Sequence, residues 1–174
     1  MSPSAVLVGP PGAGKSTVGR IVAGRRAEAF RDTDADVEAT TGSTISDIFV
    51  EQGEAHFRAL ERAAVRLALA EHEGVLALGG GAVLDPGTRA LLRGLPVVFL
   101  DVDLPDAAAR VGLNRDRPLL IGNPRARLCT LMAQRRPLYT EVATATVPTG
   151  GRTPDEVADA VSAALPAATR EETR

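Results

Sequence analysis

The only lysine in the chain, Lys15, stands in Gly9-Pro10-Pro11-Gly12-Ala13-Gly14-Lys15-Ser16-Thr17, which matches the pattern G-x-x-x-x-G-K-[ST]. Each residue type answers a need of phosphate binding. Glycines allow the backbone to close around a phosphate, and a helix N-terminus behind them offers free N–H groups and the positive end of its dipole. Lys15 can neutralise β/γ oxygens, and the Ser16 hydroxyl can reach Mg²⁺. The other 19 basic residues are all Arg, so a general preference for Arg has spared one Lys at the point where an ammonium is needed. The bland alternative is a glycine-rich turn with no nucleotide. It is disfavoured because the apolar run Ala5-Val6-Leu7-Val8 precedes the motif and a helical pattern follows it.

Three other groupings could complete a phosphoryl-transfer site. Asp32-Thr33-Asp34 follows a short strand-like run, and the carboxyl ends of strands in an open parallel sheet face the ligand crevice. One carboxylate could serve a metal and the other an acceptor hydroxyl, or Thr33 or Asp34 could simply cap a helix beginning at Ala35. Arg58 shares a helix face with Glu54 and Glu61, as an anion-binding arginine held by a carboxylate or as a solvated ladder. Gly79-Gly80-Gly81 ends a second strand-like run, where absent side chains permit close approach and leave N–H groups for an anion, unless the turn is merely flexible. Arg115, Arg117, Arg135 and Arg136 flank a segment, Asn114 to Asn123, that is dense in Arg, Pro and Gly and reads as a mobile excursion.

The elements that must carry these residues alternate. Strands are expected near Ala5-Val8, Ala29-Arg31, Val75-Leu78, Val97-Asp101 and Ala145-Val147. Helices are expected over Lys15-Ala23, Gly53-Glu71, Pro86-Leu92, Pro105-Val111, Pro124-Gln134 and Thr153-Leu165. The pattern predicts an α/β fold, a three-layer α/β/α sandwich on a five-stranded parallel sheet. With 174 residues the chain makes a single domain over 1–165, with a lid at about 112–124 and a frayed tail at 166–174. A net charge of −2 provides no overall field for nucleic acid or an anionic membrane, and four Phe, one Tyr and no Trp leave little for base stacking. The lone Cys129 forms no internal disulfide and is expected to be a buried small hydrophobe. The absence of a signal-like start or a long apolar run predicts a cytoplasmic protein.

Taken in order, Gly9 to Thr17, Asp32-Thr33-Asp34, Phe57-Arg58 with Glu61, Leu78 to Val83, Arg117-Pro118-Leu119-Leu120 and Arg135-Arg136-Pro137-Leu138-Tyr139 resemble the signatures of the shikimate kinase family, its actinobacterial members most. The resemblance runs from about residue 3 to 165. It implies a nucleoside monophosphate kinase-like P-loop fold with a mobile lid, transfer of the ATP γ-phosphoryl to the 3-hydroxyl of shikimate, Mg²⁺ as cofactor, and a monomer. It also implies roles. Lys15 and the backbone of Gly12, Ala13, Gly14, Ser16 and Thr17 would hold phosphates; Ser16 and, through water, Asp32 would hold Mg²⁺. Asp34 would bond the ring hydroxyls and take the acceptor proton. Arg58 and Arg135 would grip the carboxylate, with Glu61 orienting Arg58 and the Gly79-Gly80-Gly81 turn presenting a backbone donor at Gly80. Arg136 falls at the variable position of R-x-P-L-Y. Arg117 would meet the transferring phosphoryl, and the adenine would rest near Arg110, Arg152 and Pro154.

Without that resemblance, the residues describe a Mg-ATP enzyme for an anionic, hydroxylated acceptor. A gluconate-type or nucleoside monophosphate kinase fits the same chemistry, although base selection would want amides or aromatics that are scarce here. A nucleotide-sensing module without chemistry is disfavoured by the presence of Lys15, Asp32, Asp34 and the lid arginines together.

Overall fold

The computed structural model describes residues 2–111 and 124–168, without the side chains of residues 108–111 and 124. The proposed lid core, the Arg117 motif and residues 169–174 lie outside the described residues. Five strands form one parallel sheet: β1 (Ala5–Val8), β2 (Phe30–Asp32), β3 (Val75–Ala77), β4 (Val97–Asp101) and β5 (Ala145–Pro148). Their order is β2-β3-β1-β4-β5. Helices α1 (Lys15–Arg26), α2 (Thr33–Thr41), α3 (Ile45–Gln52), α4 (Glu54–Glu71), α5 (Pro86–Leu92), α6 (Leu104–Val111), α7 (Pro124–Val142) and α8 (Pro154–Ala164) connect or follow them, with a 3₁₀ turn at Ala82–Leu84.

Alternation along the strands builds the layers, because successive side chains of a strand point to opposite faces. Ala5, Leu7, Val75, Val98 and Leu100 pack on one face with Val18 and Val22 of α1 and Val157 and Val161 of α8. Val6, Val8, Leu76, Val97 and Phe99 pack on the other with Val65 and Ala68 of α4, Leu92 of α5 and Tyr139 of α7. A separate small cluster of Val37, Ile48 and Phe57 ties α2 and α3 to α4 at the edge of the sheet.

Several expectations require correction. The Asp32 tripeptide, expected beside the phosphate loop on a neighbouring strand, lies on β2, which β3 separates from β1. β2 is displaced by one residue and β3 is one shorter than expected. The helix after β2 starts at Thr33 rather than Ala35, and its cap is Asp32, whose side chain accepts from the Asp34 N–H. α3 was not anticipated; Thr44 caps it through the Asp47 N–H. α7 runs to Val142 through Pro137 instead of ending at Gln134. Cys129 is exposed, while its neighbour Leu128 takes the buried place.

Candidate active site

The loop from Gly9 to Gly14 leaves β1 and turns directly into α1. Gly14 is the N-cap with φ 89°, a left-handed conformation that favours glycine, and α1 has no side-chain cap. The first-turn N–H groups are therefore served by no capping side chain, as an anion site requires. Lys15 folds back over the loop, its Nζ donating to Gly9 O at 2.7 Å and Pro10 O at 3.0 Å. The ammonium is thus held against the loop that it must serve.

Ser16 Oγ donates to Asp32 Oδ2 at 2.5 Å, joining the start of α1 to the end of β2 across the intervening β3. The other oxygen, Asp32 Oδ1, accepts from Asp34 N at 2.9 Å. One carboxylate therefore caps α2 and holds the Ser16 hydroxyl, so the cap is Asp32 rather than the expected Thr33 or Asp34. Ser16 and Asp32 fit a magnesium site: they are hard oxygen donors beside a phosphate loop. Among the described residues no group of three or more His, Cys, Asp or Glu could hold a metal by itself. That suits an ion that takes its remaining ligands from phosphate and water.

The second half of the site gathers at the triple glycine. A Cβ at Gly79 would lie 2.5 Å from Asp34 Oδ1 and 2.9 Å from Glu61 Oε2, and one at Gly81 would overlap Arg58 Nη1. Asp34, Glu61 and Arg58 thus converge on one turn that must lack side chains. Arg58 donates to Glu61 Oε1 at 2.8 Å and more weakly to Glu54 Oε1 at 3.5 Å, and lies over the rings of Phe57 and Phe49 at 5.3 and 5.9 Å. The salt-bridge ladder is real, but it is largely buried rather than solvated. A cleft of about 520 Å³ lined by Arg58, Arg62, Gly81, Leu84 and Asp85 opens along its flank.

From the opposite side α7 brings Arg135, which is 3% exposed. Its Nε is buried without a hydrogen-bond partner, as is Arg58 Nε. Arg136 turns the other way and makes a bidentate pair with Asp101 at 2.7 and 2.9 Å on the surface. The adjacent arginines are separated by burial and by partner, and only Arg135 belongs to the convergence. Burial pushes the Glu61 carboxyl above its ordinary range, with Arg58, then Arg135 and Arg62, acting against that rise.

Two residues with no role in the sequence reading also belong here. The buried Thr33 hydroxyl accepts from Gly79 N at 3.3 Å and lies 3.5 Å from Ala77 O. The Gly79 N–H is therefore not one of the open donors expected of the turn. Tyr139 donates to Gly80 O at 2.6 Å, and burial pushes its phenol up to about 12. A hydroxyl between two functional acids and a Tyr one helical turn after Arg135 were the available signals. Of the residues expected near the adenine, Arg152 is exposed and Pro154 opens α8 behind a Thr153–Glu156 capping box. The Arg110 side chain and Arg117 lie outside the described residues.

Comparison with known proteins draws the same lines. The family model described as shikimate kinase matches residues 11–166. The shikimate kinase of Salinispora arenicola (strain CNS-205) is 62% identical over 167 residues, covering 96% of this chain and 100% of that protein. That of Salinispora tropica is 61% identical over 166 residues, covering 95% and 99%. Among solved structures, shikimate kinase from Acinetobacter baumannii in complex with shikimate matches with a TM-score of 0.88 at 36% identity, over 92% of this chain and 90% of that one.

Proposed function

The chain belongs to the shikimate kinase family and catalyses the ATP-dependent phosphorylation of shikimate on its 3-hydroxyl, a step of aromatic amino acid biosynthesis; from that premise we propose how its residues divide the work. Arg58 and Arg135 grip the shikimate carboxylate, Gly80 of the Gly79–Gly81 turn adds a backbone donor, and Glu61 holds Arg58 in place. The observation that carries this assignment is the pairing of two largely buried guanidiniums, each with an unpartnered Nε, around a single buried carboxylate. A buried charge is costly unless paired, so this excess of cation calls for an anionic ligand.

Phosphoryl transfer requires alignment and charge neutralisation more than covalent catalysis. Lys15 and the backbone from Gly12 to Thr17 hold the phosphates, and Asp34 orients the ring hydroxyls and accepts the proton as the 3-hydroxyl attacks. Ser16 and Asp32 would hold Mg²⁺. When bound, that ion neutralises charge on the phosphate oxygens. Arg110, Arg152 and Pro154 cradle the adenine, and Arg117 meets the transferring group. The protein would act as a monomer. The protein would work in the cytoplasm on small molecules, without nucleic acid or membrane partners; no helix among the described residues is long and apolar enough to cross a membrane.

The test is a comparison of Arg58→Ala and Arg135→Ala with the native protein. A charge-assisted contact is worth ~1.5 to 3 kcal/mol, so each variant should raise the shikimate KM roughly 10- to 150-fold while the ATP KM stays within about twofold. An amide analogue of shikimate should be a poor substrate of the native enzyme and lose little more in either variant. Unchanged shikimate KM in both variants would refute the carboxylate grip.

A further inference from the structure

We propose that Tyr139 is a positioning residue that locks the glycine turn to Arg135, so that its hydroxyl sets shikimate affinity without touching the substrate. This rests on the carboxylate grip proposed above and adds the part that keeps its two halves in register. Arg135 belongs to α7, the helix that follows residues 112–123, while Gly80 belongs to the connection after β3. Nothing in the backbone topology fixes the distance between them. Tyr139 bridges the gap: its Oη donates to Gly80 O at 2.6 Å, and Arg135 lies one turn earlier on the same helix, so the bond ties the turn to the helix that carries Arg135.

The bond falls where it controls direction. The Gly80 carbonyl and the Gly81 N–H share one rigid peptide plane, and the Leu78 carbonyl and Gly79 N–H share another. Tyr139 pins the first and Thr33 pins the second, so the peptide between them, which carries the Gly80 N–H, is bracketed by two anchored neighbours. Glycines have the widest choice of backbone angles, so these two anchors act together with the bond from Ala82 N to Gly79 O, on the central peptide itself, to aim that donor.

The turn has other supports, so the hydroxyl is not needed to fold it. Ala82 N donates to Gly79 O at 3.0 Å and Leu84 N to Gly81 O at 3.1 Å. Arg89 clamps Val83 O at 2.7 Å and pairs with Glu141 of α7 at 2.9 Å. The Tyr139 ring stacks on Phe99 of β4 with centroids 5.1 Å apart, a packing role that Phe would keep.

Tyr139→Phe therefore isolates the hydroxyl. The expected result is a shikimate KM raised about three- to tenfold, the size of one neutral hydrogen bond, with kcat, the ATP KM and the thermal midpoint nearly unchanged. A shikimate KM within twofold of native overturns the proposal, as does a parallel rise of both KM values with a lowered midpoint, which would mean that the phenol serves folding. Arg135→Ala measured alongside separates the two readings. A strong effect of Arg135→Ala with none from Tyr139→Phe overturns the positioning role alone, whereas no effect of Arg135→Ala overturns the grip beneath it. The native protein supplies a second readout, because Tyr139 is the only Tyr and there is no Trp. Shikimate should change the tyrosine fluorescence while ATP alone leaves it nearly constant; no response to saturating shikimate overturns the proposal.

Discussion

The nucleotide half and the acceptor half of this site are built on different principles. The phosphate loop is continuous, from Gly9 to Thr17, and its working parts are backbone N–H groups and two side chains at the start of α1. The acceptor half is assembled from the β2–α2 junction, α4, the glycine turn and α7, and it works through side chains held by buried ion pairs. A local structure of the first kind needs little from the rest of the fold. One of the second kind depends on distant elements meeting within tenths of an ångström, and on desolvated charges remaining paired. Changes in the two halves should therefore fail differently: in turnover on one side, in acceptor affinity on the other.

The sharpest break of that comparison is Lys15→Met. Removing a preorganised charge from the transferring phosphate costs about two to three orders of magnitude in kcat, with little change in thermal midpoint, because the Lys15 bonds to Gly9 O and Pro10 O lie within its own loop. ADP release and a circular dichroism melt check both halves of that expectation. Gly81→Ala is the counterpart on the acceptor side. Gly81 has φ −99°, so Ala introduces no backbone strain, but its Cβ would displace the Arg58 guanidinium that Glu61 and two rings hold in place. The shikimate KM should rise about tenfold, with the ATP KM almost unaffected, because one charge-assisted contact is disturbed. Equal damage to both KM values would erase the separation between the halves.

Glu61 sharpens the same point through pH. Its folded carboxyl titrates above the ordinary value of 4.5 because burial outweighs the pull of Arg58. The folded state thus binds this proton more tightly than the unfolded chain. The stabilisation from that proton is fully present below the unfolded pKa and is lost as pH rises through the folded one, with a slope of at most ~1.4 kcal/mol per pH unit. The urea midpoint of the native protein should fall, as pH rises through this window, relative to that of Glu61→Gln, which has no carboxyl to titrate. Parallel curves would show that Glu61 keeps an ordinary carboxyl.

The two halves also differed in how far they could be read in advance. The phosphate loop was legible because its requirements are met by neighbours in sequence, and the strands were placed within a residue because alternation and apolar runs are local signals. α3 was missed because it is one short amphipathic helix confined between Gly42 and Gly53, whose apolar side chains Ile45, Ile48 and Phe49 take meaning only against Phe57 of α4. The helix expected over Pro124-Gln134 runs on through Pro137 to Val142, and Tyr139 on that extension stacks on Phe99, a contact with a distant strand that local sequence does not show. The role of Thr33 was hidden for a similar reason: its partner, Gly79, lies far along the chain. The convergence of Asp34, Glu61, Arg58 and Arg135 was named through family resemblance, and its buried pairing became visible only in three dimensions.

The smallest expected effect belongs to Arg136, and it tests the comparison at its narrowest point. Arg135 and Arg136 are neighbours of identical chemistry, and sequence alone assigns the substrate role by a one-residue register. The fold separates them by the rotation between successive helical positions: one is buried toward the glycine turn, and the other is half-exposed and paired with Asp101 at the end of β4. Exposed ion pairs contribute about 0 to 1 kcal/mol, and solvent screening of a side chain this exposed places Arg136 toward the low end despite its bidentate geometry. Arg136→Ala should thus leave the shikimate and ATP KM values within about twofold and lower stability only slightly, by an amount that shrinks further in high salt. If Arg136→Ala instead raises the shikimate KM tenfold or more while Arg135→Ala is mild, the burial-based assignment fails, and the acceptor half would be gripping its substrate with a surface arginine, much as the nucleotide half is proposed to use Arg152.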